Sequence, residues 1–398
     1  MNPAKSKYVW QLSFEGAWTT SVAFLGGSNQ VAAGNREGQI YIWDLPADPP
    51  AEEGKREGEP SDFAPLRRLD GHTNAISHLI TADDGKTLIS TSLDRTIRIW
   101  DMNSSPIGSA EVVLDKSNRQ RKARNVPSAE RPKILEAPGV KVEVVSTSQV
   151  LEGHKEWIKA LGISGDGKRI ISGDDACLTI VWDLASRKQI SSWTGHDRVW
   201  VSSAALSPDG KIAFTAEYAG RRSSFDVPAA QARLWNVEDG SMKLDLLKVW
   251  SPKTKDEDRG DTYAYGRVWG EFMGRGLVSA CFSPDGKLIA AAQGGETSTG
   301  KIQLIDVESG KIVRTISGHR SGACDVKFSA DGKYVLTSGR DTVVRVLQVE
   351  DGKEVATLGK GRGGQFKDWL YSIAISPDQR WVAAADIAGY VQLWRFEA

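Results

Sequence analysis

The sequence predicts an all-β chain made of seven similar four-stranded units. Two recurring phrases carry this reading. The first is a short alternating segment ending in Trp-Asp or a variant of it. It occurs at 40–44 (IYIWD), 97–101, 179–183 and 232–236, and in weaker form at 302–306, 344–348 and 391–395. Alternation of period two marks a strand. The second phrase is a turn upstream of each copy. Ser207-Pro208-Asp209-Gly210 and Ser283-Pro284-Asp285-Gly286 are the clearest, variants begin at Ala82, Ser164, Ser329 and Ser376, and 26–29 is the weakest. Proline second and glycine fourth suit a type I turn.

Each turn lies between two apolar alternating runs, as at 201–206 and 212–215. A unit therefore reads as strand, turn, strand, tight turn, strand, and then a fourth strand. Four of the five histidines follow a glycine, at His72, His154, His196 and His319. Gly-His followed by Trp-Asp at this spacing resembles the WD-repeat (WD40) family of β-propellers, over nearly the whole chain. The resemblance implies one seven-bladed β-propeller domain over 1–398, with 46–65, 102–145, 218–230 and 250–275 as inserted loops. Setting those inserts aside leaves about 42 residues per unit, against the ~40–45 of a four-stranded blade. The last unit stops at Phe396 after its third strand, while Lys7–Ser13 is an alternating strand without a blade. We expect this N-terminal strand to close the last blade as its outer strand, because an open ring would expose apolar edges.

In blade two, His72, Ser90, Asp94 and Trp100 stand at the spacing of the family's structural tetrad. There, the resemblance implies, the four side chains satisfy one another's buried polar groups. Ser, His and Asp also compose a hydrolase triad, but no G-x-S-x-G elbow is present. Other blades lose members. In blade three the Asp position is Ala176, with Asp175 one residue early, and in blade six Leu347 replaces Trp. No metal site is expected, since the histidines are spread over different blades. No cofactor is expected either, since the G-x-G-x-x-G match at 359–364 opens no helix.

Composition narrows the function classes. Lys+Arg and Asp+Glu are 51 each, which argues against bulk electrostatic attachment to nucleic acid. No apolar stretch is long enough to span a bilayer, so no membrane role is expected. Three cysteines with no C-x-x-C, and no secretory signal, suit a reducing, cytoplasmic setting.

Tryptophan placement is the sharpest functional signal. Counting nine residues back from the turn aspartate reaches Trp157, Trp200 and Trp369, and a one-residue slip in blade one reaches Trp18. The other blades have Ala75, Gly276 and Gly322 there. This residue enters the innermost strand, near the opening of the face that carries the Gly-His loops. Two residues on, Lys159 and Tyr371 point the same way. The resemblance implies that this rim receives peptide segments, and indoles offer area at little entropic cost. The alternative is that the indoles wedge the blades apart as core. Insert 250–275 joins this face with Tyr263, Tyr265, Trp269 and Arg275, and insert 218–230 adds Arg221 and Arg222. On the opposite face, insert 46–65 carries net −4 and insert 102–145 net +3. Both read as solvated linkers, which contact each other or meet an anionic partner.

The expected function is a non-catalytic interaction scaffold that binds a protein or peptide on Trp18, Trp157, Trp200 and Trp369 with Lys159, Tyr371 and Arg275. The alternatives are nucleic-acid or anion contact through the basic run 116–124, or a propeller enzyme.

Overall fold

The computed structural model describes residues 2–3, 5–16, 18–46, 63–82, 85–137, 139–195, 200–217, 232–250, 276–294, 300–361 and 369–396. The fold is an all-β, seven-bladed propeller. Six blades are four-stranded antiparallel sheets, and blade one is widened to six strands. The inner strands are Thr19–Leu25, Ile76–Ala82, Ile158–Ile163, Val201–Leu206, Leu277–Phe282, Ala323–Phe328 and Leu370–Ile375. The chain divides into two compact units, Met1–Glu152 with Leu358–Ala398, and Gly153–Thr357.

Local chemistry sets each blade. The turn serine donates to the turn aspartate and accepts the backbone N–H that opens the second strand. In blade four, Ser207 Oγ lies 2.6 Å from Asp209 Oδ1 and 2.9 Å from Ile212 N. Gly210 follows at φ 67°, a left-handed conformation that glycine takes at no steric cost. The second strands are covered on both faces and are built from small and β-branched residues, as in Gln30–Asn35 (QVAAGN) and Leu288–Gln293 (LIAAAQ). Small side chains let neighbouring sheets approach to close-packed distance.

The closing strand forms as expected. Ser6–Ser13 pairs antiparallel with Tyr390–Phe396, from Ser6 opposite Phe396 to Ser13 opposite Tyr390. Trp10 is buried and stacks on Trp381 at 6.2 Å and on Phe63 at 5.4 Å.

Insert 102–145 is not the loop the sequence reading anticipated. Gly108–Val113 and Gly139–Val145 form a β-hairpin, and its second strand runs parallel to Arg67–Leu69 on the outer edge of blade one. Alternation in both strands buries Val112 and Val142 in one cluster with Trp10, Leu12, Phe14 and Trp43. Between the strands lie two short helices, α1 (Lys116–Arg124) and α2 (Arg131–Leu135). The buried Asp115 accepts hydrogen bonds from Tyr390 Oη and Asn118 Nδ2, each at 2.8 Å. Asn118 Nδ2 also donates to the Ala388 carbonyl at 2.9 Å. A segment emitted by blade two therefore reaches over blade one and fastens to blade seven. Burial and then the Asp115 charge push the Tyr390 hydroxyl well above the usual phenol range.

Insert 46–65 is described only at its ends, and there the two inserts do meet. Arg67 pairs with Glu143 at 2.9 Å, and Phe63–Leu66 line a cavity of about 460 Å³ with Ser109 and Lys141–Glu143. Insert 218–230 lies outside the described residues, as does 251–275. Trp250, expected in the latter insert, instead ends the short helix Leu246–Trp250. It is buried, and its N–H donates to the Gly310 carbonyl at 2.8 Å.

Deleting residues 1–13 is expected to cost several kcal/mol, a large share of the ~5–15 kcal/mol that stabilises a domain. A melting temperature equal to that of the full chain would refute the role of the closing strand. Tyr390→Phe leaves a buried carboxylate short of one donor, so thermal denaturation is expected to show a loss of about 1–3 kcal/mol.

Candidate functional site

The tryptophan positions are defined by one repeated backbone bond. In six blades the residue ahead of the inner strand accepts, through its carbonyl, a hydrogen bond from an N–H beyond the second strand. This bond joins Trp18 to Arg36, Ala75 to Leu93, Trp157 to Asp175, Gly276 to Gly294, Gly322 to Arg340 and Trp369 to Ile387, at 2.9–3.2 Å. Trp18, and not Thr19, is thus the equivalent residue in blade one. Trp200 precedes Val201 in the same way.

Each of the seven inner strands then shifts register between its first and third residues. A bulge re-aims the extra side chain. Lys159 and Tyr371 occupy that bulged second position, with Thr20, Ser77, Ser202, Val278 and Cys324 in the other blades.

The indoles differ in environment. Trp157 is 46% exposed and Trp18 37%, while Trp369 is buried at 7%. Trp200 is half-buried. Within the unit Gly153–Thr357, Lys159 Nζ lies 5.2 Å from the Trp157 ring centroid and 5.9 Å from that of Trp200. Two aromatic faces therefore flank one ammonium, which also pairs with the Asp175 carboxylate at 3.9 Å. Burial pushes the Asp175 carboxyl up, against the pull of Lys159. Within the other unit, Arg36 lies 4.5 Å over the Trp18 ring. Trp18 has φ 63°, where Gly276 and Gly322 also take positive φ. A bulky aromatic held there is backbone strain, of order 1–3 kcal/mol, of the kind concentrated at functional sites. Tyr371 is 44% exposed. Tyr263, Tyr265, Trp269 and Arg275 lie outside the described residues, as do His196, Arg221 and Arg222.

The histidine networks are built into the blades. Trp100 Nε1 donates to Ser90 Oγ at 2.8 Å, Ser90 Oγ lies 2.7 Å from His72 Nε2, and His72 Nδ1 lies 2.8 Å from Asp94 Oδ2. Ser90 is fully buried and its oxygen is already shared by two partners, so it has no open line to a substrate. Blade three keeps the same chain through Trp182, Ser172 and His154, but ends on Asp174 at 2.8 Å. Neither Ala176 nor Asp175 plays that part. Asp174 closes the second strand, and its other oxygen caps the N–H groups of Ala176 and Leu178. Asn35 and Asp386 bind the turn in the same way, through the N–H groups of Gln39 and Tyr390. In blade six, His319 bonds to Asp341 at 2.6 Å, while Thr337 turns to the Asp325 carbonyl.

These polar networks of blades two, three and six, in a fold of repeated four-stranded sheets, agree with a family comparison. Residues 63–101, 145–183, 187–221, 310–347 and 352–395 match the model described as WD domain, G-beta repeat. The chain belongs to the WD40-repeat family. Among relatives, it is 22% identical to Autophagy-related protein 16 of Arabidopsis thaliana over 82% of this chain and 48% of that protein. It thus spans about half the length of that relative. It is 23% identical to Small ribosomal subunit protein RACK1 of Caenorhabditis elegans over 83% of this chain and 93% of that protein. The same-named protein of Neurospora crassa is 26% identical over 63% and 73%. Among the described residues, no group of three or more His, Cys, Asp or Glu is placed to hold a metal ion, and no helix is long and apolar enough to cross a membrane.

His72→Ala in this WD40 protein strands Ser90 and Asp94, and we expect a loss of about 1–3 kcal/mol in chemical denaturation. The networks also set an acid limit. Burial raises the Asp341 carboxyl, but the hydrogen bond and charge of His319, with the hydrogen bonds from Arg345 and the Arg320 N–H, outweigh it and hold it at about 2. Its proton binds more weakly in the fold than in the unfolded chain, where the pKa is 3.8. The stabilisation is therefore full above pH 3.8 and is lost as pH falls through about 2. Melting temperature should fall across that window, with a shallower fall in Asp341→Asn.

Proposed function

We propose that the protein is a non-catalytic interaction scaffold, whose principal partner site is formed by Trp157, Lys159 and Trp200, and that Trp18 with Arg36 and Tyr371 offer further contacts. The family and fold support the general scaffold role. The observation that carries the site is the exposed Trp157 indole sharing the Lys159 ammonium with Trp200. Rigid aromatic anchors with a charged handle are the residues on which interface energy concentrates. The backbone strain at Trp18 adds to this reading. Trp369, being buried, serves as a prop beneath the surface and not as a contact. The ligand is an extended segment of a protein. A relative named as a small ribosomal subunit protein favours a role as one subunit of a larger assembly.

The test is co-purification from a lysate with tagged wild type and with Trp157→Ala/Trp200→Ala, followed by titration of the captured partner. Each central aromatic is worth ~2 kcal/mol or more, so the single variants should weaken binding about thirtyfold. The melting temperature should stay nearly fixed for Trp157→Ala. Unchanged affinity in the double variant would refute the site.

A further inference from the structure

We propose that the two-helix knob of α1 and α2 is a second docking surface, independent of the tryptophan site, and that it receives an acidic segment of a partner protein bearing apolar side chains. The charge on the knob is the first observation. Residues 116–135 hold seven bases and one acid, in a chain whose charges balance overall. Lys116 is paired with Glu15 at 2.5 Å. Arg121, Lys122, Arg124, Arg131 and Lys133 are exposed and make no salt bridge among the described residues. Bases are paired at places elsewhere, as in Arg169 with Glu238, Arg345 with Glu354 and Lys353 with Asp351, but the knob gathers these five exposed bases between residues 121 and 133. Like charges on adjacent turns of one helix repel, although Arg121, Lys122 and Arg124 lie in the last turn of α1, where positive charge opposes the helix dipole favourably.

The second observation is the shape between the helices. Gln120, Ala123, Arg124, Arg131 and Leu135 line a groove of about 330 Å³. Ala123 is buried in its floor, and Leu135 is 46% exposed at its side. An apolar floor between two arginines fits a segment that presents carboxylates around an apolar side chain. It does not suit a single-stranded nucleic acid, because residues 116–135 contain no aromatic side chain on which a base could stack. The third observation is rigidity. Asp115 and Asn118 tie the start of α1 to Tyr390 and to the Ala388 carbonyl, so the knob is held in place before any partner arrives. Insert 102–145 thus places a positive surface on a propeller of zero formal charge.

The experiment is fluorescence anisotropy of the full chain with a short labelled peptide alternating glutamate and leucine. The same peptide with glutamine for glutamate, and labelled polyuridylate, are the comparators. The acidic peptide should bind, and Arg124→Ser/Arg131→Ser should weaken it about tenfold or more. Leu135→Ser should weaken it severalfold, and Trp157→Ala should leave it unchanged. Arg124→Glu/Arg131→Glu should transfer binding to the peptide with lysine for glutamate. Equal binding of the glutamine peptide, tighter binding of polyuridylate, indifference to the Arg124, Arg131 and Leu135 substitutions, or loss in Trp157→Ala would each overturn the proposal.

Discussion

The pairing of Ser6–Ser13 with Tyr390–Phe396 is the interaction on which the rest of the unit Met1–Glu152 with Leu358–Ala398 depends. It converts the last three-stranded sheet into a full blade and removes an apolar edge that would otherwise template association. It also places Trp10 between Trp381 and Phe63, which extends the core of blade seven to the widened blade one. The Asp115–Tyr390 bond lies on the strand that this pairing completes. The hairpin of insert 102–145, the helices it carries and the chain's two ends are therefore parts of one packed arrangement.

A second constraint is the obligation to satisfy polar groups within the blades. The Ser–His–Asp–Trp chains of blades two and three meet it completely, which fixes the Gly-His loops without leaving a reactive hydroxyl. Blade six meets it only in part: Leu347 offers no N–H, Thr337 turns to the Asp325 carbonyl, and His319 keeps its Asp341 bond while its Nε2 has no hydrogen-bond partner among the described residues. Because the blades solve the same problem with different residues, their loop faces are chemically unequal. That inequality is what allows a repeated fold to present distinct surfaces, with indoles at Trp157 and Trp200 but glycine at 276 and 322.

Much of this protein was legible in its sequence, for a physical reason. Strand alternation, the Ser-Pro-Asp-Gly turns and the Gly-His to Trp-Asp spacing are local patterns, each acting within a few residues. They determined seven blades, the closing strand, the blade-two tetrad and the shared position of Trp157, Trp200 and Trp369. What lay beyond them depended on non-local packing. Whether an indole is exposed, as at Trp157, or buried, as at Trp369, is decided by neighbours distant in the chain. Asp174 was missed as the partner of His154 because its carboxylate reaches back from the end of a strand, where spacing alone pointed to the turn. The alternating valines of Gly139–Val145, at 140, 142 and 144, are a local strand signal beside the basic run. That the hairpin lies against Arg67–Leu69, and that Lys159 sits between two indoles, only the tertiary structure decided, because both follow from surfaces that meet after the blades have formed.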